Sequence, residues 1–121
     1  MTTIKRIDKF NQEDYIERKD GKEIIELPEG EFRIVCSKNC EIVCWKNCEI
    51  ECVDDCEIEC VDDCEIVCGK DCKIECGDNC KITAGKGTKV TGWFKGWCYH
   101  YEFKERKTIL FKDGEFKESE K

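Results

Sequence analysis

Long apolar runs are what this sequence most plainly lacks. No stretch approaches the roughly 18 consecutive apolar residues of a membrane-spanning helix, and the N-terminus MTTIKRIDKF has no apolar signal-peptide core. These absences argue against a membrane protein and place the chain in the cytoplasm by default. Histidine is almost missing. His100 is the only one, and neither a Ser/His/Asp set nor a glycine-rich phosphate loop accompanies it. No catalytic residue, cofactor or resident metal is therefore assigned, and the chain is expected not to be an enzyme. A cationic excess is absent too: 21 Lys and Arg stand against 28 Asp and Glu, a net charge of −7. Such a surface repels phosphate backbones, which excludes nucleic acid as a partner. The bland reading of these charges is a solvated face that keeps the chain soluble.

What is present instead is cysteine, 13 in 121 residues. That content marks a disulfide scaffold or a metal-thiolate protein. A reducing cytoplasm disfavours disulfides, so composition and default location pull in opposite directions.

The cysteines lie in a repeat. Written in eights from Cys36, the chain reads CSKNCEIV, CWKNCEIE, CVDDCEIE, CVDDCEIV, CGKDCKIE, CGDNCKIT, AGKGTKVT and GWFKGWCY. The preceding block, PEGEFRIV, fits the same frame with Pro28 and Phe32 at the cysteine positions. Segments such as Cys40-Glu41-Ile42-Val43-Cys44 alternate with period two, the strand signature, with cysteine and isoleucine on one face. The three residues between are rich in Asn, Asp and Gly, which tolerate positive φ in tight turns. Period four drifts around a 3.6-residue helix, and the isoleucines favour strands. A meander would leave edge strands exposed. A solenoid stacks each unit on its own repeat, and a coil of two octads gives the inward isoleucine more room than a coil of one. The fold class expected is therefore all-β: a narrow solenoid with two octads per 16-residue coil and β-rich caps. Ile42, Ile50, Ile58, Ile66, Ile74, Ile82 and Val90 should form its core, with Glu41, Glu49, Glu57 and Glu65 facing water.

The octad Ala84-Gly85-Lys86-Gly87-Thr88-Lys89-Val90-Thr91 resembles the octapeptide of bacterial ice nucleation proteins, Ala-Gly-Tyr-Gly-Ser-Thr-x-Thr. The cysteine octads align to it with cysteine at that family's inward Ala and Ser positions, and similar octads occur in bacterial and phage proteins. The resemblance covers residues 36–91 and implies the coil architecture. The family's ice-organising Thr-x-Thr would fall at outward positions, most of which are here Glu41, Glu51, Glu57, Glu59 and Glu75. Only Thr83, Thr88 and Thr91 lie in that region, which argues against ice binding.

Three segments follow: an N-terminal cap at 1–35, the solenoid at 36–91 and an aromatic C-terminal cap at 92–121. Tyr15 to Arg18 and Glu23 to Leu27 read as a hairpin, although Asn11 to Asp14 resembles a helix-capping box. Thr108 to Phe111 and Glu115-Phe116, joined through Lys112-Asp113-Gly114, read as a closing hairpin. Trp93, Phe94, Trp97, Tyr99, Tyr101 and Phe103 are read as cap packing, with a binding platform as the alternative. Open solenoid ends invite association, so a monomer and an end-to-end homodimer both fit. No partner is specified.

Cysteines at the two ends of one strand lie about 13 Å apart, too far to bridge, whereas those flanking a turn can meet near 5.5 Å. The expected bridges are Cys36–Cys40, Cys44–Cys48, Cys52–Cys56, Cys60–Cys64, Cys68–Cys72 and Cys76–Cys80. Each would contribute about 2 kcal/mol on the loop-entropy model. Reduced thiols and soft-metal ligation are the alternatives, though no Cys-x-x-Cys pair occurs. Asp54, Asp55, Asp62 and Asp63 read as solvated turn acids before a Ca²⁺ site. Cys98 is odd in number and off the period. In the octad frame it takes the isoleucine position, so it is expected as an inward, inert free thiol. The leading function is a disulfide-stapled structural solenoid acting as scaffold, spacer or binding module; the alternative is a thiol-rich metal-binding protein.

Overall fold

A computed structural model describes residues 16–19, 22–26, 33–35 and 39–119. Turn chemistry sets the coil. The last residue of each three-residue turn, Asn39, Asn47, Asp55, Asp63, Asp71 and Asn79, adopts φ between 58 and 61°. Asn and Asp enter this left-handed region most readily after glycine, and Gly87 fills the same place with φ 89°. Eight-residue spacing of these bends sends alternate octads to opposite sides of the coil.

The described strands are β1 (Ile16–Lys19), β2 (Lys22–Glu26), β3 (Arg33–Val35), β4 (Cys40–Val43), β5 (Glu49–Glu51), β6 (Glu57–Glu59) and β7 (Glu65–Val67). They continue with β8 (Lys73–Cys76), β9 (Cys80–Ala84), β10 (Lys89–Phe94), β11 (Trp97–Glu102), β12 (Lys107–Lys112) and β13 (Glu115–Ser119). No helix occurs among the described residues. One sheet runs β1-β2-β4-β6-β8-β10-β11, the other β13-β12-β9-β7-β5-β3.

Register gives the period directly. Ile42 pairs with Ile58, Ile58 with Ile74 and Ile74 with Val90; opposite them Ile34, Ile50, Ile66 and Ile82 stack likewise. Each strand thus meets its repeat 16 residues on, which is the two-octad coil. All these residues are 2% exposed or less, and burying each contributes roughly 1.5–3 kcal/mol. Glu49, Glu57 and Glu65 are exposed and Glu41 is half-buried, so the alternation falls as the octad pattern requires. The frame also reaches upstream of Cys36, since Ile34 already occupies an isoleucine place.

Antiparallel strands finish the stack. At the N-terminal side β1 and β2 form a hairpin, Ile16 opposite Ile25, and β2 lies parallel to β4. Side chains there, Pro28, Phe32 and the capping-box reading at 11–14 lie outside the described residues. At the other end the chain reverses twice through two-residue turns, Lys95-Gly96 and Asp113-Gly114, each with two positive φ values. That is the turn that matches the natural twist of a hairpin. β11 closes on β10, while β12 lies antiparallel to β9 with Ile109 opposite Ile82. Phe103 and Phe111 are fully buried, and Phe94, Tyr99, Tyr101 and Phe116 pack against the core from the side. A Cβ at position 92 would lie 2.6 Å from the Phe111 ring, so Gly92 is what admits that ring over the last coil. Trp93 and Trp97 remain exposed.

Candidate functional site

The flattened coil puts its cysteines at two edges. Turns leaving the first sheet are flanked by Cys44 and Cys48, Cys60 and Cys64, Cys76 and Cys80. Turns returning to it are flanked by Cys52 and Cys56, Cys68 and Cys72, and then by Ala84 and Thr88. With Cys40, the eleven described ladder cysteines are all at least nine-tenths buried.

No disulfide joins any of them. Cys40, Cys44, Cys48, Cys52, Cys56, Cys60, Cys64, Cys68, Cys72, Cys76 and Cys80 form no Sγ–Sγ pair at disulfide distance, so the expected bridges are not seen here. Cys36 lies outside the described residues, so the Cys36–Cys40 pairing does too. The physical reason is visible at the second cysteine of each turn, whose thiol is turned onto backbone carbonyls. Cys64 Sγ donates to Trp45 O (3.1 Å) and Asp62 O (3.5 Å), Cys80 Sγ to Val61 O (3.3 Å), and Cys72 Sγ to Val53 O (3.4 Å). The bonds to Trp45, Val53 and Val61 reach the turn of the coil below, 19 residues earlier, while the bond to Asp62 stays within the turn. Thr88 Oγ1 makes the same bond to Gly69 O at 3.1 Å, and accepts from Cys72 N at 3.2 Å. Thr88 is therefore an inward member of the ladder, at the octapeptide's Ser place, although the sequence reading also counts it with Thr83 and Thr91 in the outward region. Thr83 bonds Thr108 (2.8 Å) and Thr91 bonds His100 Nδ1 (3.2 Å), so no repeated outward threonine row forms.

Sulfur atoms also meet one another. The Sγ atoms of Cys60, Cys64 and Cys80 all lie within 4.8 Å of one another. Hydrogen bonding from Cys60, then Cys64 and Cys76, holds the Cys80 thiol far below its ordinary pKa. Cys64 is pushed up to about 12, chiefly by its contact with Cys44, and Cys60 is raised by contacts with Cys44, Cys64 and Cys80. On the other edge, Cys52 and Cys72 lower Cys68 to about 5, and Arg106 Nη1 donates to Cys68 O at 2.9 Å. Cys72 is raised: Cys52 pulls it down, but Cys56, Cys68 and burial outweigh that pull.

The turn acids have structural partners. Asp54 Oδ1 accepts Lys70 N–H (2.9 Å) and Asp62 Oδ1 accepts Asp78 N–H (2.8 Å) in the next coil. Asp63 Oδ1 accepts Asn79 Nδ2 at 2.7 Å, and Asp78 Oδ1 accepts Asp113 N–H at 2.7 Å. Asp54, Asp62 and Asp63 are thus acceptors in a ladder of turn bonds, beyond the solvated acids that composition suggested.

Cys98 is exposed, against its expected inward position. The two-residue turn at Lys95-Gly96 ends the octad frame, and the antiparallel register sets Cys98 opposite the exposed Trp93. Its sulfur lies 3.9 Å from His100 Nε2. The sequence reading also missed a groove of about 740 Å³ whose lining, Glu57, Glu59, Lys73, Glu75, Lys89 and His100 among it, comes from the first sheet. Stacking of outward residues from five strands makes it, so it needs the coil register to be seen.

No family model, no curated protein and no solved structure matches the chain. The 16-residue coil is present, and no relative confirms the likeness to the ice nucleation octapeptide.

Proposed function

We propose that this chain is a non-enzymatic structural module, a short rigid solenoid that acts as a scaffold or spacer with a reduced thiol interior. One observation carries the reading: where the cysteines stop, Ala84 and Thr88 take their places and Thr88 repeats the same carbonyl bond. The ladder positions thus do packing and turn-bonding work, the kind that any small residue with a suitable donor performs. The outer faces hold rows of Glu and Lys, with the register passing from Glu57 to Lys73 and from Glu65 to Lys81. Charged rows of this kind suit a water-facing surface that holds its shape. The His100 contact with Cys98 is long for a nucleophile–base pair and lies on an exposed strand, which supports no enzymatic reading.

Small-angle scattering and circular dichroism of the protein in excess reductant test the proposal. Expected is a monodisperse, cooperatively folded β particle whose dimensions do not change with reductant. Collapse or unfolding on reduction would sink it.

A further inference from the structure

The same replacement raises a question of chemistry. If alanine and threonine serve at positions 84 and 88, packing does not by itself account for sulfur at eleven successive described positions of the ladder. Sulfur differs from these residues in its affinity for soft cations. At one edge the thiols are already arranged for that: Cys60 leaves the first sheet, Cys64 enters the second across the Val61-Asp62-Asp63 turn, and Cys80 stacks on Cys64 one coil on.

We propose that Cys60, Cys64 and Cys80 form a three-sulfur site for a thiophilic closed-shell cation, Cu⁺ in preference to Zn²⁺. Metal–sulfur bonds of about 2.3 Å require sulfur separations of about 3.8–4.0 Å. The observed separations, none above 4.8 Å, reach that range by movements of about 1 Å or less, within the reach of side-chain rotation alone. Three ligands complete the environment of Cu⁺, whereas Zn²⁺ seeks four; for zinc the fourth sulfur is Cys44, which touches Cys60 from the coil below, or Cys76, which touches Cys80 across their shared turn. Cys60 keeps 7% of its surface exposed while Cys64 and Cys80 keep 1% or less, so the cation enters past Cys60. Binding replaces the S–H protons of the three thiols, and each proton released goes to water. The metal keeps its oxidation state, and no oxidant or reductant takes part. The S–H bonds to Trp45 O and Val61 O are given up in exchange for metal–sulfur bonds.

The test is anaerobic titration of the full chain with Cu⁺ against a chromophoric competitor, with a parallel Zn²⁺ arm and X-ray absorption of the loaded protein. The variants use the chain's own substitutes: Cys60→Ala, after Ala84, and the double variant Cys64→Thr/Cys80→Thr, after Thr88. Far-UV circular dichroism in reductant checks that each stays folded. Expected are a tight site with three sulfur neighbours around copper in the wild type and a loss of affinity of more than about 100-fold in both variants, beyond what loss of an outer-shell partner causes. Zinc with four sulfurs, weakened by the same variants, places the site correctly but overturns the preference for Cu⁺. Wild-type affinity in the folded variants, or no binding of either ion, overturns the site. If the double variant fails to fold, Cys60→Ala alone decides.

Discussion

Individual side chains in this protein take their environment from the coil position they occupy. Ile58 is 2% exposed and is stacked between Ile42 and Ile74. Truncation to alanine leaves a cavity that neighbouring coils cannot close without breaking register, so Ile58→Ala should destabilise by about 2–5 kcal/mol in urea unfolding. Cys98 shows the opposite case. Its position was misread because the octad frame was carried through Lys95-Gly96, a pair whose positive φ values reverse the chain. The dipeptide was legible as a turn signal, yet eight residues of apparent repeat outweighed it. Exposure beside Trp93 makes this thiol accessible. A thiol reagent added to native, reduced protein should show a rapid phase that Cys98→Ser abolishes, while the ladder thiols react only on denaturation. A rapid phase unchanged by Cys98→Ser would contradict the exposed position.

Among the elements, the strands and the 16-residue period were readable because a single residue, isoleucine, marks the inward face at fixed spacing. Isolated octads cannot reveal what one coil does to the next. The turn ladder is of that kind: Asp54 leans over position 69, where an added Cβ would lie 2.0 Å from its Oδ1. Position 77 meets Asp62 Oδ1 at 2.2 Å in the same manner. Glycine at 69 and 77 is therefore a requirement set by an aspartate 15 residues earlier, invisible to any reading of the turn by itself. Gly69→Ala should destabilise by about 1–3 kcal/mol, the usual range for overpacking. In an Asp54→Ala background the same change should cost much less, because the clashing oxygen is gone. Equal costs in both backgrounds, measured as a double-mutant cycle, would contradict the proposed coupling. That the expected disulfides are not seen has a related reason. Spacing showed that cysteines across a turn come near one another, but the carbonyls of the coil below, which draw the thiols away, are supplied only by stacking.

For the whole molecule, the reduced interior that we propose makes stability depend on pH through its thiols. Cys64 is raised from an ordinary 9.0 to about 12, and Cys60, Cys72 and Cys76 are shifted in the same direction. A thiol with a raised folded-state pKa keeps its proton in the fold while the unfolded chain loses it. Its contribution is therefore fully present below about pH 9 and falls as pH climbs from there towards 12. Cys68, lowered to about 5, works the other way: its contribution is present above pH 9 and fades as pH falls from 9 to 5. The two effects act on different sides of pH 9, so they do not cancel. Alkaline titration should unfold the wild-type chain progressively between about pH 9 and 12, followed by circular dichroism in reductant. Cys64→Thr, which keeps a hydroxyl on the Trp45 carbonyl and removes one titrating group, should shift the midpoint to higher pH. An alkaline midpoint that is the same in Cys64→Thr and wild type would show that ionisation of this buried thiol does not govern the loss of the fold.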